Sequence, residues 1–187
     1  VIGPGLGQEE GTARLVRQVV ALDKPLVLDA DGLNAMAQDP APLRQRTAAT
    51  ILTPHPGELL RLDRGPMPTT PAERRKRAER LAQSTRSVVV LKGNRSVVTD
   101  GERTYLNDTG NPGMATGGSG DVLAGLTAAL LAQISDALPA TIAAVRIHGI
   151  AGDLAARARS EEAMIAADLL EYFGAAFRAY RTDRSRT

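Results

Sequence analysis

Short apolar runs alternate along the chain with longer stretches in which apolar residues recur every three to four positions, and this alternation sets out the elements in order. Val1-Ile2 reads as the end of a strand running into the turn Gly3-Pro4-Gly5-Leu6-Gly7. Glu9 to Leu22 has helical spacing, with Leu15, Val19 and Leu22 predicted on one face. "PLVLDADGLNAM" gives a short buried strand ending at Asp29, then a turn and a helix. "ATILTPHPGELLRL" repeats that scheme through a Pro-His-Pro-Gly turn. About Pro71 to Gln83 is a charged helix, and "SVVVLKG" is an unbroken apolar run, the pattern of a strand buried on both faces. "SVVTD" and "RTYLND", joined through Asp100-Gly101, predict a hairpin. Helices then fit about 119–132, 138–158 and 165–178.

Strands alternating with helices argue for an α/β fold with a mostly parallel central sheet and helices on both faces. The pattern shows neither an internal repeat nor a linker, so 1–187 reads as a single domain, with about 178–187 as a basic, frayed tail. The length of 187 residues supports a core that buries roughly 70% of the unfolded surface. With aromatic residues at only 3%, that core is aliphatic. Cysteine is absent, which excludes a disulfide framework and thiolate metal sites and suits a cytoplasmic protein. The net charge of +2 is close to balance. Arg74-Arg75-Lys76-Arg77, punctuated by Glu73 and Glu79, reads as the solvated face of a helix and not as a nucleic-acid patch. No stretch approaches the roughly 20 apolar residues of a membrane span. The opening "VIGPGLG" looks like the inside of a fold, so the N-terminal part of the domain is expected to be missing.

Candidate chemistry concentrates at the predicted strand ends. In "NPGMATGGSGDVLAG" (Asn111 to Gly125) the glycines permit φ > 0 and close backbone approach, and the apolar helical face that starts at Val122 makes the loop a helix N-terminus. Backbone N–H groups of 117–121 then form an anion site. A helix cap needs one Asp, not Gly117, Gly118 and Gly120 together. Asp121 beside a phosphate cradle makes chemical sense if it takes a proton from a hydroxyl that attacks phosphorus, or holds that hydroxyl in line. His55, fixed between two prolines after a strand, is a second candidate. Glu58 either caps the following helix or helps to hold Mg²⁺ through water. Asp29 and Asp31 either bind ligand or serve turns and caps. Lys92, one of three lysines, either closes its strand with a charge or contacts phosphate. His148 in "HGIAGD" reads as close helix packing beside Gly149 and Gly152.

Taken in order, "GPGLG", "DADGLN", "LTPHPGE", "LKG" and "NPGMATGGSGDVLAG" resemble the ADP/ATP-dependent NAD(P)H-hydrate dehydratase family, over nearly the whole chain to about Phe177. The resemblance implies a ribokinase-like fold. It also implies repair of hydrated NADH or NADPH, in which a nucleotide phosphoryl group makes the ring hydroxyl a leaving group. Bacterial-type members use ADP and release AMP and phosphate. By the same resemblance Gly5 and His55 lie against the hydrated dinucleotide. Lys92, Gly93, Asn94, Arg95 and Ser96 contact AMP, with Ser96 standing where the family often has Thr. Gly120 contacts the AMP phosphate, and Asp121 the substrate hydroxyl. Mg²⁺ and ADP (or ATP) are the implied cofactors. A homo-oligomer and a fused or separate epimerase are the implied partners, with no nucleic acid and no membrane. "HGIAGD" matches a helix motif of the family without a catalytic role.

Two other readings remain at this point. A ribokinase-like kinase of a vitamin precursor shares the glycine loop and its Asp, but typically carries Asn where this chain has His55. A nucleotide-binding remnant without turnover fits a domain that lacks its start.

Overall fold

The computed structural model describes the chain from Val1 to Arg184, with side chains to Thr182. Five strands, β1 (Leu26–Leu28), β2 (Thr50–Leu52), β3 (Val88–Leu91), β4 (Val97–Thr99) and β5 (Thr104–Leu106), form one sheet in sequence order. β1, β2 and β3 pair in parallel, β4 is antiparallel to both its neighbours, and β5 again runs with the first three. Ile2 adds a parallel bridge to Leu28 beside β1.

The helices are α1 (Glu10–Ala21), α2 (Ala30–Met36), α3 (Ala41–Arg44), α4 (Pro56–Asp63), α5 (Pro71–Thr85), α6 (Ser119–Leu131), α7 (Ala137–Arg159) and α8 (Ala166–Arg184). The alternation of side chains along each strand sorts them into two cores. Val27, Ile51, Val88, Val90 and Val98 face the layer of α6, α7 and α8. Leu26, Leu28, Leu52, Val89, Leu91 and Val97 face α1, α2, α4 and α5. Each fully buried aliphatic side chain contributes about 1.5–3 kcal/mol relative to exposure. β1 and β3 are therefore apolar at every position because helices cover both faces. None of the described helices is long and apolar enough to cross a membrane.

Several expectations need correction. The inward face of α1 carries Val16 and Val20, while Leu15 and Leu22 are 47% and 59% exposed. The stripe is offset by one residue from the one drawn through the leucines. The charged run on α5 is not wholly solvated: Arg77 is 4% exposed and forms a two-pronged ion pair with Asp63. α8 continues six residues beyond the expected end at 178, and the last part of the tail, 185–187, lies outside the described residues. The short helix α3 and a 3-10 turn at Pro112–Met114 had no counterpart in the pattern.

Candidate functional site

The carboxyl ends of β1, β2 and β3 meet the start of α6. Asp29 follows β1 and is 1% exposed. Its Oδ1 lies 2.6 Å from Nζ of Lys92, which follows β3. Lys92 Nζ also lies 3.8 Å from Oε2 of Glu58. Glu58 is the third residue of α4 and its Oε2 accepts from the His55 backbone N–H at 2.7 Å, which fixes the start of that helix. The His55 ring completes the cap, its Nδ1 accepting from Gly57 N–H at 3.0 Å. A neutral His55 ring then carries its proton on Nε2, which faces Glu58 Oε1 at 3.3 Å. Asp29, Lys92, Glu58 and His55 thus form one continuous polar chain across three strand ends. Of the two roles open to Glu58, capping is the one seen, and both of its oxygens are engaged. Among the described residues no three His, Asp or Glu side chains come together as a metal cage.

α6 starts differently. Its cap, Gly118, has φ +87°, a left-handed conformation that favours a residue without Cβ. Ser119 N–H and Val122 N–H find backbone carbonyls at Thr116 and Gly118, but among the described residues those of Gly117, Gly118, Gly120 and Asp121 have none. Asp121, the third residue of the helix, is exposed, and among the described residues its carboxylate has no hydrogen bond or ion pair. A methyl group placed on Gly120 would stand 3.3 Å from Lys92 Nζ and 3.9 Å from Asp29 Oδ2. The open amides, the dipole of a 13-residue helix and the Lys92 ammonium therefore converge on one spot, the arrangement of an anion cradle. Behind it, His148 of α7 is 7% exposed and its Nε2 lies 3.0 Å from the Ser119 carbonyl. Burial lowers the His148 pKa to about 4, so the ring is neutral and its Nε2–H donates.

The glycine turn joins the same edge. Gly3 packs directly on the Asp29 carbonyl, and Gly5 is exposed with φ +68°. Asp31 latches the turn: its Oδ2 accepts from Gly7 N–H at 2.9 Å and its Oδ1 from Gln8 Nε2 at 3.2 Å. Beside it a cavity of about 320 Å³ opens between α1 and α2, lined by Gly7, Gln8, Arg17, Asp31 and Asn34 among others. In the β3–β4 turn, Lys92 reaches the Gly120 loop. Gly93, Asn94 and Arg95 form the exposed tip, and Ser96 Oγ donates to Gly93 O at 3.0 Å. Sequence reasoning found the members of this site but missed how they pair. The Asp29–Lys92 contact joins residues 63 positions apart, and the Asp31 latch joins residues 24 apart. An acid and a base at the ends of separate predicted strands were the available signal for the first.

Known proteins resemble this chain in sequence and in fold. The sequence profile of the family described as NAD(P)H-hydrate dehydratase matches residues 1–174. A bifunctional NAD(P)H-hydrate repair enzyme Nnr from Thermofilum pendens is 44% identical over 184 residues, covering 97% of this chain and 35% of its own length. The structure of the ADP/ATP-dependent NAD(P)H-hydrate dehydratase from Bacillus subtilis, co-crystallised with ATP and Mg²⁺ and soaked with CoA, superposes with a TM-score of 0.83. It is 32% identical and is matched over 96% of this chain and 65% of that one. A ribokinase-like superfamily protein from Enterococcus faecalis superposes with a TM-score of 0.78 at 30% identity, over 96% of this chain and 62% of that one. The chain thus spans about a third of the curated repair enzyme and just under two thirds of the solved structures. The fold is ribokinase-like, and the chain belongs to the NAD(P)H-hydrate dehydratase family.

Proposed function

We propose that this chain forms the catalytic part of a lyase that dehydrates hydrated NADH or NADPH, with ADP as phosphoryl donor. The observation that carries this reading is the set of open amides at Gly117, Gly118, Gly120 and Asp121 beside Lys92, with the Asp121 carboxylate exposed at its end. The amides of Gly120 and Asp121 hold phosphoryl oxygens, and Lys92 adds positive charge beneath them. Asp121 accepts the proton of the substrate hydroxyl as its oxygen bonds to phosphorus and AMP leaves. The phosphate ester then departs as the ring nitrogen's lone pair pushes, and loss of a proton from the adjacent carbon restores the reduced nicotinamide. Gly5 and the half-exposed His55 ring flank the dinucleotide, and the Gly93–Ser96 turn meets the adenosine end of the nucleotide. Among the described residues no side chains form a cage for Mg²⁺, so the ion would be bound through the nucleotide phosphates and would supply charge screening there. The setting is cytoplasmic, the assembly a homo-oligomer, and an epimerase the companion activity, as the bifunctional name of the Thermofilum relative suggests.

The test is product analysis on the full-length protein with ADP, Mg²⁺ and hydrated NADPH. Recovery of reduced-nicotinamide absorbance with equimolar AMP and phosphate is expected. Phosphorylation of a hydroxymethyl pyrimidine or a thiazole, with hydrated NADPH untouched, would instead establish the kinase. Turnover of neither would leave the nucleotide-binding remnant.

A further inference from the structure

The "HGIAGD" stretch of α7 lies behind the glycine loop, and nothing in the reaction described above uses it. His148 and Gly152 are four residues apart on the helix, as are Gly149 and Asp153, so the four share one face. The segment that leads into the loop runs across this face. Gly110 N–H and Asn111 Nδ2 donate to the two oxygens of Asp153 at 3.0 and 3.1 Å. Thr109 Oγ1 lies 3.1 Å from the Arg146 carbonyl. Thr109 and Met114 press so closely on Gly149 and Gly152 that a methyl group at either glycine would collide with them. Asn111 Oδ1 accepts from Gly113 N–H at 3.1 Å, which shapes the 3-10 turn. At the other end of the loop, His148 holds the Ser119 carbonyl at 3.0 Å. Between these anchors, Ala115, Gly117 and Gly118 are exposed.

We propose that this face of α7 is a clamp which grips both the entry and the exit of the glycine loop and so sets the position of the Gly120 and Asp121 amides. His148 and Asp153 are then positioning residues that act through Ser119 and Asn111, without touching substrate. A loop with four open amides and three glycines is held internally only by short turn bonds, such as Ala115 N–H to Pro112 O at 3.0 Å and Ser119 N–H to Thr116 O at 3.3 Å, so much of its geometry has to be imposed from outside. The two glycines admit the strap to the helix backbone, and the two polar side chains fix its ends. The effect on nucleotide binding rests on the anion-cradle reading of the loop. The grip itself does not.

Full-length protein and its His148→Leu, His148→Gln and Asp153→Asn variants are compared by calorimetry with ADP and with adenosine, and by hydrogen exchange of the hydrogen-bonded amides of Ala115, Ser119 and Val122. The clamp requires faster exchange of these amides in His148→Leu and Asp153→Asn. It also requires ADP affinity to fall about tenfold, the scale of one lost hydrogen bond, with adenosine affinity held within twofold. The amide of His148→Gln can donate to Ser119 O, so this variant should recover most of both effects. Unchanged exchange in folded His148→Leu and Asp153→Asn overturns the clamp, as does equal loss of ADP and adenosine. If His148→Leu does not fold, Asp153→Asn decides by the same criteria. If the parent protein binds no ADP, the anion cradle fails and the exchange measurement alone decides the clamp.

Discussion

Around Asp29 every charged side chain already has a partner, whereas a few ångströms away the start of α6 presents four amides and a carboxylate with none. The first region is closed on itself. Lys92 neutralises Asp29, Glu58 caps a helix, and His55 folds over that cap. The second region is unfinished without a ligand, because a helix N-terminus left open to solvent gains most from an anion that satisfies its N–H groups. The contrast separates support from function within one site. Damage to the Asp29 and Glu58 carboxylates should be read out chiefly as lost stability, damage to the open half as lost activity, and damage to Lys92 or His55, which serve both, as a loss of each.

The sharpest way to break this division is Asp121→Asn. It keeps the shape, removes the proton acceptor, and is expected to lower kcat by roughly 10²–10⁴-fold while leaving thermal stability unchanged. A variant within threefold of the parent kcat would remove Asp121 from the chemistry. Lys92→Met is expected to lower stability as well as nucleotide binding, because Lys92 serves both halves. It strands the buried Asp29 carboxylate at a cost of about 3–5 kcal/mol, seen in denaturant unfolding. The double variant Asp29→Asn/Lys92→Met should recover a large part of that loss. If the single variant is as stable as the parent, the closed half is not a support.

The third expectation concerns pH. His148 has an ordinary pKa of 6.5 and a folded value of about 4, so between these values the unfolded chain binds a proton that the fold refuses. Stability should therefore be level above pH ~7 on this account and decline by up to about 3 kcal/mol as pH falls to ~4. His148→Gln should flatten that part of the profile, measured as unfolding midpoint against pH. The smallest effect belongs to Glu58→Ala. Loss of the reciprocal cap on α4 is expected to cost about 1 kcal/mol of stability.

Much of the fold was legible because its elements announce themselves locally. The "SVVVLKG" run, the Asp100-Gly101 turn and the apolar stripe after Asp121 each specify an element within a few residues, and the structure places β3, the β4–β5 hairpin and α6 there. The loop was legible for the same reason, since three glycines and an Asp at a helix start carry their chemistry in sequence. Contacts across the chain were not. Arg77 looked like one more exposed charge until α5 packed it against Asp63, a residue of the preceding helix. Leu15 looked like core because periodicity gives the spacing of a stripe but not which neighbour it will face. Asp153 stood in the "HGIAGD" motif but carried no sign of its role, because its partners Gly110 and Asn111 lie more than 40 residues away.

The sheet order β1-β2-β3-β4-β5 also has a consequence in time. Synthesis runs from the N-terminus, and no strand of the sheet has to wait for a later one to find its neighbour. Of the helices that line one side, α1 is made before β1 and α2 to α5 between β1 and β3, so that side closes as the sheet widens. The other side has no such schedule. Val27, Ile51, Val88, Val90 and Val98 acquire their cover only when α6, α7 and Ala176 of α8 have been made. A nascent chain that stops short of these helices holds these five strands with one bare, aliphatic, β-branched face, the kind of surface on which chaperones and aggregation compete.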